Sequence, residues 1–279
     1  MIITEPGLFD LPEATYHGDP VPGGSLSSTT AKRLLAPSCP AIARWEKDHP
    51  VIKTEYDEGA AAHKLVLGKG AQIVVINHEK WNTDAIKAEV AAARAAGHIP
   101  LKPKAFAAAI RMAEKVKQHP TAGPMFRKGT GMPERSIFWQ DERTGVWCRA
   151  MLDWLSLTDG YRPMIVDLKT IADPSLPSVM KAIGNLRYYQ QAAFYRSAVQ
   201  SLGFEDPMFF FVFVGKEQPH LITVFELHYE DMLEGQNRNR QALDVWAECQ
   251  RTGVWPGYSP EIQSLRLPPW THRQIEETE

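Results

Sequence analysis

One short apolar run with two charges set into it, Met164, Ile165, Val166, Asp167, Leu168, Lys169, constrains this chain more than any other segment. A nearly continuous apolar stretch of strand length is the pattern of a strand buried on both faces. Side chains two apart in a strand share a face, so Asp167 and Lys169 emerge together. The preceding stretch, 152–157, is also apolar and carries Asp153 near its start, and 158–163 holds Gly160 and Pro163 as a turn. If the two strands pair as a hairpin, two carboxylates and one ammonium converge. Taken alone, Asp-x-Lys on a strand is more often a solvated ion pair. Charges at the end of a doubly buried strand, however, have to be paired or metal-bound. The run leads into a loop at 170–175 and then a helical pattern, and ligand sites favour such strand ends.

The rest of the chain reads as helices first and strands later. Residues 1–28 look irregular, rich in Pro, Gly and Ser, with Thr29 or Thr30 placed to cap a helix through Leu35. A second helical piece follows at 41–47, then 56–67, an Ala-rich pattern holding Gly59 and His63. Strand 73–76 and two strongly periodic helices, 84–96 and 103–119, complete the first part, the last stopped by Pro120. Segments 134–140, 146–157 and 164–169 read as three successive strands, the first two joined by a hairpin-type connection at 141–145. A helical pattern spans 179–200 with an interruption expected at Gly184, strands follow at 208–214 and 221–227, and a helix at 231–251 precedes a Pro-rich tail. This order predicts the α/β (α+β) class, a mixed sheet with helices packed on it. At 279 residues the chain is expected to be one elaborated domain: a mainly helical part (1–130), a core (131–230), and a closing helix and tail (231–279).

Composition narrows the function by exclusion. No apolar run approaches the roughly 20 residues of a membrane span, so no membrane association is expected. The first residues lack a basic region followed by an apolar core, and a cytoplasmic location is the expectation. Three scattered cysteines, Cys39, Cys148 and Cys249, fit a reducing compartment and are too few to ligate an iron–sulfur cluster. A net charge of -2 argues against a broad polyelectrolyte-binding surface. It leaves room for a nucleic-acid enzyme whose acidic ligands offset local basic patches.

Four short patterns occur in order: Gly59-xxx-His63, Asp153, Asp167-x-Lys169 and Gln191-xxx-Tyr195. Each is weak alone. In this order and on these element types, they resemble the PD-(D/E)xK nuclease superfamily in its RecB-like form, with its restriction-endonuclease-like core. Tyr16 and His17, the Ser25-Leu26-Ser27 entry to a helix, the stretch 134–139, the run Val166 to Thr170 and the run Tyr188 to Tyr195 further resemble the exonuclease VIII family, the RecE-type recombination exonucleases. The similarity spans about residues 14–230. That family often carries a basic residue two positions before the strand aspartate; here the position is Met151, and Arg149 is the nearby charge. Either Gln190 or Gln191 fits the active-site glutamine, and Gln191 gives the Gln-xxx-Tyr spacing.

The resemblance implies a metal-dependent exonuclease acting on double-stranded DNA ends, degrading 5′ to 3′ and exposing a 3′ strand for annealing. It further implies a ring-shaped homo-oligomer and a single-strand annealing protein as partner. Phosphodiester hydrolysis needs an activated water, neutralised phosphate charge and a stabilised leaving group, and Mg²⁺ or Mn²⁺ serves all three needs. Because Mg²⁺ prefers hard oxygen ligands, Asp153 and Asp167 become the expected ligands, with the Leu168 backbone carbonyl a third. His63 is implied as a ligand or orienting group for a second ion, a role imidazole serves better for Mn²⁺. Lys169 would polarise the water and screen the phosphate, Gln191 would hold the water or a phosphate oxygen, and Tyr195 would support the same face. Glu134 is a candidate outer or additional ligand, with an exposed strand-end carboxylate as the alternative. Thr170 would contact a phosphate or order the strand, and Lys181 and Arg187 rank first for DNA phosphate contact because they precede the glutamine helix. The competing readings are a single-strand- or structure-specific nuclease of the same superfamily, and a catalytically silent DNA-end-binding module.

Overall fold

A computed structural model describes residues 1–49 and 57–267. Tyr56, at the expected start of one helix, and the end of the Pro-rich tail lie outside the described residues. The central sheet is built on the expected meander. Strands β5 (Met132–Gln140), β6 (Trp147–Ser156) and β7 (Met164–Ile171) pair antiparallel in sequence order. Strand β8 (Met208–Gly215) then pairs parallel with β7 through eight residue pairs, from Met164–Met208 to Ile171–Gly215. A parallel pair needs a crossover, and helices α8 (Leu176–Asn185) and α9 (Tyr188–Gln200) supply it. Strand β9 (Ile222–Glu226) closes one edge and β1 (Gly7–Phe9) the other, while β2 (Leu26–Ser27) joins β6 in parallel. Strands β3 (Ile73–Val75) and β4 (Ile99–Leu101) form a separate parallel pair.

Helices cover both faces, which is why β7 and β8 are apolar almost throughout. Helices α2 (Ser28–Leu34), α3 (Pro40–Asp48), α9 and α10 (Tyr229–Thr252) close the first face over a core holding Leu34, Ile165, Phe194, Phe211 and Trp246. Helices α4 (Asp57–Leu67), α6 (Pro103–Gln118) and α7 (Ala122–Met125) close the second over Ala62, Met112, Trp154, Val166, Leu168 and Val212. Strand β7 thus sends Ile165 to one core and Val166 and Leu168 to the other, and β8 divides Phe211 and Val212 in the same way. Helix α5 (Asp84–Ala95) packs outside against β4, and α1 (Glu13–His17) sits on a small third core with Ile3, Leu11 and Phe138. The class and the mixed, helix-flanked sheet are those expected from the sequence.

Local differences have local causes. The segment read as irregular, 1–28, contains β1, α1 and β2, elements too short to produce a periodic signal. Ser27, not Thr29 or Thr30, caps α2; its hydroxyl accepts the Thr30 N–H at 3.2 Å. The break expected at Gly184 falls instead at Leu186 and Arg187, between α8 and α9, with Arg187 in the left-handed region at φ 51°.

Candidate active site

The regular pleat fails at one row of the sheet, and the acidic residues stand in that row. Along β6, Cys148, Ala150 and Leu152 face the first core, yet so does Leu155, while Trp154 faces the second. The alternation therefore slips at Asp153. On the β5 side the ladder passes from Pro133–Trp154 to Arg135–Leu152, skipping the pair Glu134–Asp153, and Glu134 has a left-handed backbone (φ 44°). On the β7 side it ends at Trp154–Val166, one step before Asp153 and Asp167 would face each other. Left-handed backbone at a non-glycine residue is costly, and such residues cluster at functional sites.

Side chains complete what the ladder leaves open. Asp153 Oδ2 accepts the Leu168 N–H at 2.8 Å, so a carboxylate takes the bond that a strand partner would have made. Asp167 pairs with Lys169 through Oδ2, and its Oδ1 accepts from Gln191 Nε2 at 2.8 Å. His63 Nδ1, delivered by α4 from the second face, lies 3.6 Å from Asp153 Oδ2. Helices on opposite sides of the sheet thus each hand one polar side chain to the aspartate pair. Gly59 makes the approach of α4 feasible, because a Cβ there would lie 2.8 Å from Thr170 Oγ1. A cleft of about 340 Å³ opens over this row, with Glu13, His63, Glu134, Asp153, Lys169 and Thr170 in its walls. Asp167 lies deeper, 1% exposed.

Burial dominates the electrostatics. It pushes Asp167 up to about 6, an effect that Lys169 partly offsets and the nearby Asp153 reinforces. Asp153 is raised for the same first reason. Burial works to discharge Lys169, but the two aspartates outweigh it and hold the ammonium above its usual value. His63 is lowered to about 4 by burial and then by Lys169, so it is a neutral imidazole at pH 7. Glu134 is raised by burial, then by Glu13 and Asp153. These are carboxylates short of positive charge, and a hard divalent cation is what such a set accommodates.

The donor chemistry fits Mg²⁺ or Mn²⁺ in one specific sense. Among the described residues no three His, Cys, Asp or Glu side chains converge into a ready-made cage. Mg²⁺ does not need one, since it retains several waters and takes one or two carboxylates. Asp153 and Asp167, with the Leu168 carbonyl, could supply its oxygen ligands, and the neutral His63 ring, 3.6 Å from Asp153, could supply a nitrogen.

The remaining expected residues fall in varied places. The Gln190–Gln191 ambiguity separates cleanly: Gln191 reaches Asp167, whereas Gln190 is fully buried and its backbone carbonyl accepts from Asn239. Tyr195 lies one turn on, ring to ring with Phe209 at 6.3 Å and hydrogen-bonded with Ser28, below the cleft. Lys181 is exposed on α8. Arg187 turns its guanidinium onto the carbonyls of Lys32, Leu35 and Ala36, tying the α8–α9 junction to the end of α2. Arg149 does not reach the site: it is 7% exposed, paired with Asp19 at 2.7 Å and bonded to Ser25.

Three further residues join the site without having been assigned a role from the sequence. Glu13 enters the cleft from α1, inside the stretch read as irregular. The Tyr188 ring lies beneath Lys169 and Lys32, 5.2 and 5.7 Å from its centroid. Lys32, one of several cations flanking the motifs, is lowered to about 8 by burial and then by Lys169, which places it in the same charge cluster. Tyr188 carried a signal in its place in the run before Gln191, and Lys32 in its place among the cations that flank the motifs; Glu13 carried none.

Comparison with known proteins agrees with this architecture. The crystal structure of a protein from Eubacterium rectale, described as a "putative exonuclease", superposes with a TM-score of 0.62 at 15% identity, covering 93% of this chain and 96% of that one. A looser likeness, TM-score 0.32 at 14% identity, covers 72% of this chain and 86% of the protein SSO0001. No curated protein matches the sequence. Residues 27–268 match the model of a PDDEXK-like domain of unknown function, DUF3799. The chain belongs to that family, and with it to the PD-(D/E)xK nuclease superfamily.

Proposed function

We propose that the protein is a metal-dependent exonuclease that hydrolyses phosphodiester bonds from the ends of double-stranded DNA, 5′ to 3′, leaving 3′ single-stranded overhangs for recombination. The observation that carries the reading is the convergence of Asp153, Asp167 and Lys169 where both β6 ladders break, within a family of nuclease-like domains. The fold neighbour described as a candidate exonuclease supports the exonucleolytic part. The polarity, a ring-shaped homo-oligomer, an annealing partner and a cytoplasmic location are part of the proposal through the resemblance to RecE-type enzymes. Among the described residues no helix is long and apolar enough to cross a membrane.

Each residue has a task that its geometry suits. When bound, Mg²⁺ or Mn²⁺ supplies an activated water, charge neutralisation and leaving-group stabilisation. Asp153 and Asp167 hold it, and the Leu168 N–H fixes the rotamer of Asp153. Lys169 keeps its proton beside two carboxylates, so it orients the water and screens the phosphate as an ammonium. Gln191 fixes Asp167 and leaves its own carbonyl to accept from the water. Glu134 and His63 border the same cleft, and His63, beside Asp153, would ligate or orient a second ion, with Glu134 an outer or additional ligand.

The test uses linear duplex labelled at the 5′ or the 3′ end, with Mg²⁺ or Mn²⁺ present. Release of 5′-terminal nucleotides, abolished in Asp167→Ala and Lys169→Ala proteins that remain folded, is the expected result. Activity retained in both variants overturns the site, and equal cutting of closed circular duplex overturns the exonuclease assignment.

A further inference from the structure

Beside the catalytic cleft lies a second cavity, about 670 Å³, bordered by Lys117, Arg127, Lys128, Gly129, Gly131 and Trp154 among others. The linings of the two cavities draw on nearby positions of three segments. Strand β5 gives Pro133 to one and Glu134 to the other, β6 gives Trp154 and Asp153, and the segment after α4 gives Gly68 and Gly70. Among the described residues no aspartate or glutamate borders the second cavity, so its three cations meet no opposing charge from them there.

This lack of partners sets it apart from the other cations near the site. Arg149 is committed to Asp19, Arg33 to Glu46, and Lys69 to Asp10 and the Glu134 carbonyl. Lys64 donates to the Gly70 carbonyl at 2.7 Å. Among the described residues, Lys117, Arg127 and Lys128 enter no such ion pair. A second, independent observation points to a ligand. Trp154 is 3% exposed, and its indole N–H, a donor only, is buried with no partner among the described residues. Buried donors are nearly always satisfied, so one that is not calls for an acceptor. The glycines at 129 and 131 let the loop lie close: Gly129 has φ 90°, and a Cβ on Gly131 would collide with that indole nitrogen.

We infer that this cavity is a phosphate-binding subsite that grips the DNA backbone next to the bond being cut. The inference rests on the nuclease reading of the neighbouring cleft. Duplex carries one negative charge per about 3.4 Å of each strand, so a strand seated on Asp153 and Lys169 carries further phosphates, and the cavity lined by the next positions of β5 and β6 is where we place them. Three unpaired cations meet that charge, and backbone contact of this kind positions the strand without reading sequence.

The experiment measures duplex binding by fluorescence anisotropy in EDTA, where no cutting occurs, for the natural protein and Arg127→Ala/Lys128→Ala. Both positions are exposed, and a thermal melt checks that the fold is unchanged. The expected result is a Kd raised about tenfold and a salt dependence flatter by about two phosphate contacts. With Mg²⁺ present, hydrolysis of a p-nitrophenyl ester of thymidine 5′-phosphate, which fills only the cleft, should be unchanged. A Trp154→Phe protein, keeping the ring and losing the donor, should show a smaller loss of duplex affinity. Unchanged Kd and slope in the double variant overturn the inference. So does millimolar inorganic phosphate raising the melting temperature of the natural protein but not the double variant while duplex affinity is equal, which assigns the cavity to a free anion. Duplex binding that depends on Arg127 and Lys128 in a protein that hydrolyses neither substrate overturns the nuclease reading and leaves the subsite standing. Failure to bind duplex at all overturns both.

Discussion

Gln191 shows how much one side chain contributes at this site. It is 7% exposed and its Nε2 holds Asp167 Oδ1, fixing a carboxylate that burial has raised to about 6. Replacing it with leucine removes the donor but keeps the bulk, so stability should change by no more than about 1–2 kcal/mol. Hydrolysis should fall 10- to 100-fold, with the loss in kcat rather than KM, because the carboxylate is misplaced and DNA contacts elsewhere are intact. Single-turnover rates on end-labelled duplex, with an equilibrium melt, check both. Lys169→Ala should be slower still, about 10²–10⁴-fold, as removal of a positioned ammonium beside developing charge predicts. At this scale the sequence was informative: Asp153, Asp167, Lys169, Gln191 and His63 all lie within one constellation. Glu13 was illegible, because a five-residue helix between prolines leaves no periodic trace.

At the level of elements, the packing of α4 on β7 decides whether His63 can face Asp153. Gly59 is the point of contact, with Thr170 Oγ1 only 2.8 Å from where its Cβ would be. Gly59→Ala should therefore lift the helix, costing about 1–3 kcal/mol in a urea titration, and reduce activity by withdrawing His63. Gly59→Ala/Thr170→Ala removes the colliding hydroxyl and should restore most of both losses, a coupling a double-mutant cycle will show. If the second substitution restores nothing, the contact is not what limits the approach. Strand β8 is the other decisive element. Phe209, Phe211 and Phe213 line one face, with centroids 4.8 Å apart edge to face and 5.8 Å apart in a tilted pair. Phe211→Ala, at a fully buried position, should cost about 3–5 kcal/mol by chemical denaturation.

In the molecule as a whole, long-range charge pairs fasten distant segments to the sheet. Asp141, in the β5–β6 turn, accepts both nitrogens of Arg240 on α10, at 2.7 and 2.9 Å. Burial works to raise Asp141, but the Arg240 bonds and those from Thr144 outweigh it and hold the carboxyl at about 2. A depressed carboxylate contributes stability above its unfolded value, near 4, and loses it as pH falls through the folded value. The natural protein should therefore lose stability between about pH 4 and pH 2 by a component absent from Asp141→Asn, measured as urea midpoint against pH. The sequence by itself determined the class, the meander and the two-faced burial of β7, and it named the carboxylates that the fold brings together, because periodicity and residue chemistry are local properties. Only the tertiary structure decided the rest: that Arg149 and Arg187 bind the protein itself, that Gln191 rather than Gln190 reaches Asp167, and that three uncommitted cations border the second cavity. The physical reason is that a charge or an amide acts through whatever it touches, and those contacts span up to 155 positions of the chain, as between Arg187 and Lys32.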